Sequence, residues 1–403
     1  MDQGRIDVCT AHPLTNNQTS ARRPALALPG DARGRGLVYQ TLVVGGVVLL
    51  GWFLVSNTLD NLARQNIATG FGFLDREAAF GIGEGLIAYS PADSYLRALM
   101  VGLLNTLRVA LTGIVLATLL GLIVGLARLS GNWLIAKLAS VFVEATRNVP
   151  VLLQLFFWYA LITQAFPAPR RALEPVAGIF LSNRGIKFPT PVWEPAQLVV
   201  AAALVLAAAL WILGARRKAR TGGSFFWPGL GLVVGLPVIA FIAAGAPLDL
   251  DAPQLRGFNF QGGGSLSPEF AALLIGLTVY TASFIAEIVR GGILAVPKGQ
   301  TEAARALGLG RGQALRLIIL PQALRVIVPP LTNQYLNLTK NSSLAVAIGY
   351  PDLVSVANTS INQTGQAVEG IAIIMVVYLT ISLAISAVMN AYNRRIARTE
   401  LGA

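Results

Sequence analysis

The chain has 403 residues, 54% of them hydrophobic and only 12% charged, against about 25% charged in soluble domains. That composition, with a mean hydropathy of +0.63, excludes an ordinary soluble domain and points to an all-α, polytopic integral membrane protein. The net charge of +12 comes without an interleaved basic and aromatic pattern, so no nucleic-acid partner is expected, and one cysteine and one histidine exclude an intrachain disulfide and a His/Cys metal cluster.

Residues 1–36 are polar, carry Cys9 and His12, and have no apolar periodicity; they are expected to form a disordered cytoplasmic tail. No apolar run follows the first charges closely enough for a signal peptide, so the first span is expected to act as an uncleaved anchor. A helix crossing lipid needs about 20 mostly apolar residues. Eight stretches qualify, at 37–56, 97–127, 148–166, 196–214, 228–245, 268–291, 324–349 and 367–392. The fifth contains Pro237 and the seventh Pro329-Pro330, where the helix is expected to break.

Lys and Arg collect in cytoplasmic loops. They are dense in the tail, near 128–147, at 216–220, around 290–325 and in 394–398. This pattern predicts both termini in the cytoplasm. The loop 167–195 runs against it, with Arg170, Arg171, Arg184 and Lys187 on the outer side.

Between the sixth and seventh spans lies TEAARALGLGRGQALRLIILPQA, residues 301–323. A short helix is expected over 300–307, capped by Thr301, with Glu302 in its first turn. Gly308 and Gly310 end it and reverse the chain. A second helix over 313–319 leads to Pro321 and the next span. The product is a helix–turn–helix knuckle at the inner face, with alanines that permit close approach and Glu302 and Arg305 for directional contact.

Polar side chains inside a bilayer face protein or water. In the seventh span Asn333, Asn337, Lys340 and Asn341 share one helical stripe, flanked by Thr339, Ser342 and Ser343. This stripe is the candidate substrate path, with Arg108 in the second span a further candidate. Glu144, Arg147, Asn148, Glu287 and Arg290 lie near the inner edge, where a gate or subunit contact and simple interface anchoring are both open readings.

Glu302-Ala303-Ala304, Gly308 and Ile318-x-Leu320-Pro321 have the spacing of the EAA loop and resemble ABC importer permeases. Residues 147–156, RNVPVLLQLF, and the stretches Asn333-Gln334-Tyr335 and 339–345, TKNSSLA, resemble their polar amino-acid branch. The likeness covers about 93–166 and 266–392. It is greatest to the permeases of general L-amino acid transporters.

The resemblance implies a type I importer fold with a five-helix core, made of spans two, three, six, seven and eight. The chain then divides into the tail (1–36), an extra first span with a periplasmic loop (37–92), a first core part (93–166), an insertion with two extra spans (167–265) and a second core part (266–403). The coupling loop is 297–321. Glu302, Ala303, Ala304, Arg305, Gly308, Leu320 and Pro321 would engage an ATP-hydrolysing subunit.

The chain has no G-x-x-x-x-G-K-[ST] loop, so no cofactor is expected in it. ATP and Mg²⁺ would be bound by partner subunits. The implied assembly has a second, different permease chain, two ATP-binding subunits and a periplasmic amino-acid-binding protein in a bacterial inner membrane. The rivals are weaker. An ion-coupled transporter needs paired intramembrane acids or broken helices, and Glu287 is the only deep acid. A membrane enzyme has no catalytic cluster to support it.

Overall fold

The computed structural model describes residues 32–64, 69–191, 195–220, 226–243 and 250–398. It divides into two compact units, Met1–Ala68 and Thr69–Ala403. The described part of the first is one helix, α1 (Ala32–Arg64), whose apolar stretch Val38–Thr58 is long enough to span a bilayer. The first 31 residues of the expected tail lie outside the described residues.

The second unit opens on the segment 69–94, which is tied to the next helix by backbone bonds from Ala78 N–H to Asp93 O and from Tyr95 N–H to Arg76 O. Phe73 and Ala78 are buried with Tyr95, Leu99, Leu353 and Val356. This segment, grouped by sequence with the first span, therefore packs in the second unit. Helix α2 (Tyr95–Ala127) follows, its first turn capped by the Ser94 hydroxyl.

Helices α3 (Trp133–Asn148) and α4 (Val151–Ala160, continued by a wide turn Leu161–Ala165) replace the expected single span 148–166. They bend by 104°. The cause is local: Pro150 has no N–H, and the residue before a proline avoids helical angles. Val149 duly sits extended at φ −100°, ψ 127°. The expected inner loop near 128–147 is thus largely helical.

The insertion holds β-structure that the apolar pattern did not announce. Strands β1 (Leu173–Val176), β2 (Ile179–Ser182), β3 (Gly185–Phe188) and β4 (Thr190–Pro191) precede helices α5 (Pro195–Arg220) and α6 (Phe226–Ala243). Strands β5 (Leu250–Asp251), β6 (Gln254–Arg256), β7 (Asn259–Gln261) and β8 (Gly264–Leu266) follow. The main sheet has the order β1-β2-β3-β8, and β4 pairs with β5, so the α5–α6 hairpin leaves and returns through one antiparallel pair. Gly185 makes the tight β2–β3 turn possible: it sits at φ +99°, and a Cβ there would lie 2.1 Å from Leu266 O.

Helix α7 (Pro268–Leu294) packs along α2. Buried small residues on α2 at Gly113, Ala117, Gly121 and Gly125 recur every fourth position and line one face. A Cβ at Gly121 would come within 2.6 Å of Ile285 Cβ. Such close backbone approach is how helices associate in lipid, where apolar surfaces gain little from burial.

Helices α8 (Lys298–Ala306) and α9 (Arg311–Ala314) form the knuckle, and α10 (Leu320–Asn341), α11 (Leu353–Thr364) and α12 (Ala367–Arg398) complete the unit. Helix α10 does not break at Pro329-Pro330 as expected. It runs through both prolines and tightens only at Ser342–Ile348 into a 3₁₀ turn. Prolines are tolerated inside membrane helices where neighbours satisfy the freed groups.

Among the described residues, five helices are long and apolar enough to cross a membrane, or six if the bent pair counts as one. The expected eight is not reached. Helices α5 and α6 exist, but their apolar parts, Val199–Ala215 and Pro228–Ala243, have at most 17 residues.

Candidate functional site

The knuckle's first helix begins two residues earlier than expected. Pro297 precedes the first turn of α8, and Thr301 lies inside the helix rather than capping it. Proline with its fixed φ is pre-organised for a helix start. The far end closes as a Schellman motif: Leu309 N–H donates to Ala304 O at 3.0 Å and Gly308 N–H to Arg305 O at 2.9 Å. Gly308 carries φ +75°, a conformation that costs a residue with a Cβ about 1–2 kcal/mol.

The chain then restarts at α9, where the Gln313 amide oxygen accepts from Gly310 N–H at 3.1 Å. The expected second helix, 313–319, is not separate. After α9 it widens over Leu315–Ile319 and continues into α10, with Pro321 in the first turn of that helix. One arm of the knuckle is therefore the end of a membrane helix.

Burial sorts the candidate coupling residues. Ala304 is fully buried and holds α8 against the chain. Glu302, Ala303, Arg305 and Gly308 are exposed, and Leu307 at the tip is 79% exposed. Leu320 lines an apolar cavity of about 660 Å³ between α2, α7, α10 and α12.

On α10 the polar stripe faces away from the chain's own core. Asn333, Asn337 and Lys340 are exposed, and Asn341 and Ser343 are half-buried. The opposite face buries Leu331 and Leu338. Thr339 and Ser342 are buried; the Thr339 hydroxyl donates to Tyr335 O and the Ser342 hydroxyl to Thr339 O. These two are tied to the backbone of the helix itself, whereas the Asn333–Asn337–Lys340 row is open.

The edge residues divide as well. Glu287 accepts from Arg290 at 2.5 Å and pairs with Arg128, which sequence reasoning had not singled out. Arg147 lies over the Phe284 ring, 4.9 Å from its centroid, on the same stretch of α7. Glu144 and Asn148 are exposed on α3. Arg108 is not open: its guanidinium meets Glu84 at 2.6 Å and lies 4.1 Å over the Phe270 ring.

Residues 225–398 match the family of binding-protein-dependent transport system inner membrane components. The chain is 50% identical, over 92% of its length and 94% of the relative's, to the general L-amino acid transport system permease protein AapQ of Rhizobium johnstonii. It is 52% identical, over 91% and 95%, to the putative amino-acid ABC transporter permease protein YhdX of Escherichia coli K12. The chain belongs to the ABC importer permeases. A crystal structure described as an amino acid ABC transporter with histidines aligns at a TM-score of 0.45 and 23% identity, over 75% of this chain and 95% of that one. An overlap that loose does not bear on how this permease's helices are arranged.

The permease is a transport component, not an enzyme, and its family works with ATP-binding and substrate-binding partners. Three of its acids were not among the candidate site residues read from the sequence. Glu84 and Glu269 carry no local signal, because their partners Arg108 and Tyr159 are 24 and 110 positions away. Asp352 had one, an acid directly before a helical run. It caps α11 by accepting from Ser355 N–H at 2.8 Å and is fully buried. Burial pushes its carboxyl up to about 7, against the backbone N–H groups of Ser355 and Val354 and the Tyr378 hydroxyl, which favour the anion.

Proposed function

We propose that this permease is the membrane subunit of an ATP-driven L-amino acid importer, and that it works by alternating access. The observation that carries the reading is the exposed outer face of the knuckle. Glu302, Ala303, Arg305 and Leu307 point away from the chain, while Ala304 anchors the helix behind them. Leu307, 79% exposed at the turn, adds an apolar side chain to the face a partner would cover. The occupant is an ATP-binding subunit, which also holds the ATP and Mg²⁺. Because α9 runs on into α10, a push on the knuckle is delivered to the helix that carries Asn333, Asn337 and Lys340.

That row, open on this chain, lines the path against a second and different permease subunit. Its amides and amine offer both donors and acceptors, which suits a zwitterion. The charge pattern supports both termini in the cytoplasm of a bacterium, and a periplasmic binding protein delivers substrate at the opposite face. The named function of AapQ, general L-amino acid transport, supports a broad substrate range.

The test is reconstitution of the permease pair in proteoliposomes, with and without the ATP-binding subunit. Uptake of a labelled L-amino acid is expected only with that subunit and ATP. Uptake driven by an ion gradient alone overturns the reading.

A further inference from the structure

The β-structure of the insertion stands at the end of α7 opposite the knuckle. Strand β8 ends at Leu266 and α7 begins at Pro268, whereas α8 begins at Lys298, after α7 ends at Leu294. A helix of 27 residues is about 40 Å long, enough to cross a bilayer. With the knuckle on the cytoplasmic side, these strands face outward. The sheet is seated on the membrane helices: Leu181 and Ile186 enclose a small apolar cavity with Ile162 and Ala271.

Hairpin β6–β7 is anchored to that sheet. Leu255 and Phe260 are cross-strand partners, and Phe260 is buried and stacked on Phe180 of β2, with 4.6 Å between ring centroids. Successive strand residues alternate faces, so Arg256 and its partner Asn259 face the other way, and both are exposed. At the turn between them Phe258 is 71% exposed. It is held rather than loose: the Arg170 guanidinium lies 4.0 Å from its ring centroid, and Arg170 Nε donates to Gly257 O at 3.2 Å. Arg171, next in sequence, is exposed as well.

The charge of this β-structure is one-sided. Over the described residues 167–191 and 250–266 its cations are Arg170, Arg171, Arg184, Lys187 and Arg256, and its acids are Glu174 and Asp251. Each acid is engaged in its own loop: Glu174 accepts from Gly178 N–H and Asp251 from Gly263 N–H, both at 2.8 Å. Among the described residues none of Arg170, Arg171 and Arg256 is in an ion pair. Cations gathered on an outer face run against the usual inward bias, so membrane insertion does not account for them.

We propose that Phe258, together with Arg170, Arg171 and Arg256, is a docking surface for the soluble substrate-binding protein, which meets it with carboxylates around an apolar socket. The family is binding-protein-dependent, so such a protein must reach the outer face. Aromatic and arginine side chains are the groups that anchor protein–protein contacts. A ring already fixed by Arg170 loses little freedom on docking, and unpaired arginines steer an acidic partner toward it. Anionic lipid is the weaker occupant, because the attracting surface potential belongs to the cytoplasmic leaflet, at the other end of α7. The inference rests on the permease reading, which sets the outer side.

The test measures docking of the substrate-binding protein, loaded with an L-amino acid, on the complete transporter in nanodiscs by surface plasmon resonance. Phe258→Ala is expected to weaken docking about tenfold or more, chiefly through faster dissociation. Arg171→Glu is expected to slow association severalfold and to flatten its dependence on salt. Both side chains are exposed. In proteoliposomes both variants are therefore expected to keep the maximal ATP-driven uptake rate at excess binding protein, with a raised half-saturating concentration.

Wild-type docking kinetics in either variant overturn the proposal. So does a lowered maximal rate without a change in half-saturation, or a weakening seen only in discs of anionic lipid, which assigns the surface to headgroups. Uptake by the wild type separates the two readings. Uptake with unaltered docking in the variants sinks the surface alone. Docking weakened by the variants, with no uptake by the wild type, sinks the permease reading alone.

Discussion

Asp352→Asn is expected to make the protein more stable at alkaline pH and no more stable at acid pH. The wild-type carboxyl is fully buried, and burial raises it from an ordinary 3.8 to about 7. The fold thus prefers the neutral acid. Below about pH 4 the group is neutral in both folded and unfolded chains, and its full contribution to stability is present. Between about 4 and 7 only the unfolded chain ionises, so stability falls by up to ~1.4 kcal/mol per pH unit. Above about 7 both forms are ionised and the loss is complete, on the order of 4 kcal/mol.

Asparagine caps a helix about as well as aspartate, so the bond to Ser355 N–H survives while the charge is gone. Thermal unfolding of wild type and variant in detergent, from pH 4.5 to 8.5, reads the difference directly. The variant's advantage should grow with pH and flatten above 7, reaching several degrees. An advantage independent of pH, or a variant destabilised at pH 8, refutes the reasoning.

Three further outcomes follow from packing and conformation. Gly121→Leu places atoms within 3 Å of Ile285 and Ala282 O and is expected to cost at least about 1–3 kcal/mol, read as a lower melting temperature; Ala at the same position is expected to cost less. Gly308→Val, at φ +75°, is expected to lower ATP-driven uptake while leaving the amount of protein in the membrane unchanged, because the strain falls on the knuckle turn. Lys340→Ala, on an exposed position, is expected to reduce uptake without lowering the melting temperature; an unchanged uptake rate removes Lys340 from the path.

The sequence was legible where lipid wrote it. Expected spans 97–127, 268–291 and 367–392 agree with Tyr95–Ala127, Pro268–Leu294 and Ala367–Arg398 to within a few residues, because a continuous apolar run is a local property. Gly308 announced its turn for the same reason. Features set by contacts between distant residues stayed hidden. Helix α10 crosses Pro329-Pro330 because its environment tolerates them, not because the pair looks helical. Arg108 reads as an open intramembrane cation until Glu84, 24 residues earlier, is seen to hold it. The short strands around α5 and α6 have only two to four residues each, too few for an alternation to register. On α10 the stripe itself was visible as periodicity, but that Asn333, Asn337 and Lys340 stand open while Thr339 and Ser342 turn inward required the fold.

The most direct measurement is ATP-driven uptake per assembled transporter for Glu302→Lys, with the membrane level of the chain quantified in parallel. Glu302 is exposed on α8, and among the described residues its side chain is in no ion pair. Loss of uptake at a wild-type membrane level is the predicted result. Uptake at the wild-type rate would mean that the motive force does not enter through α8.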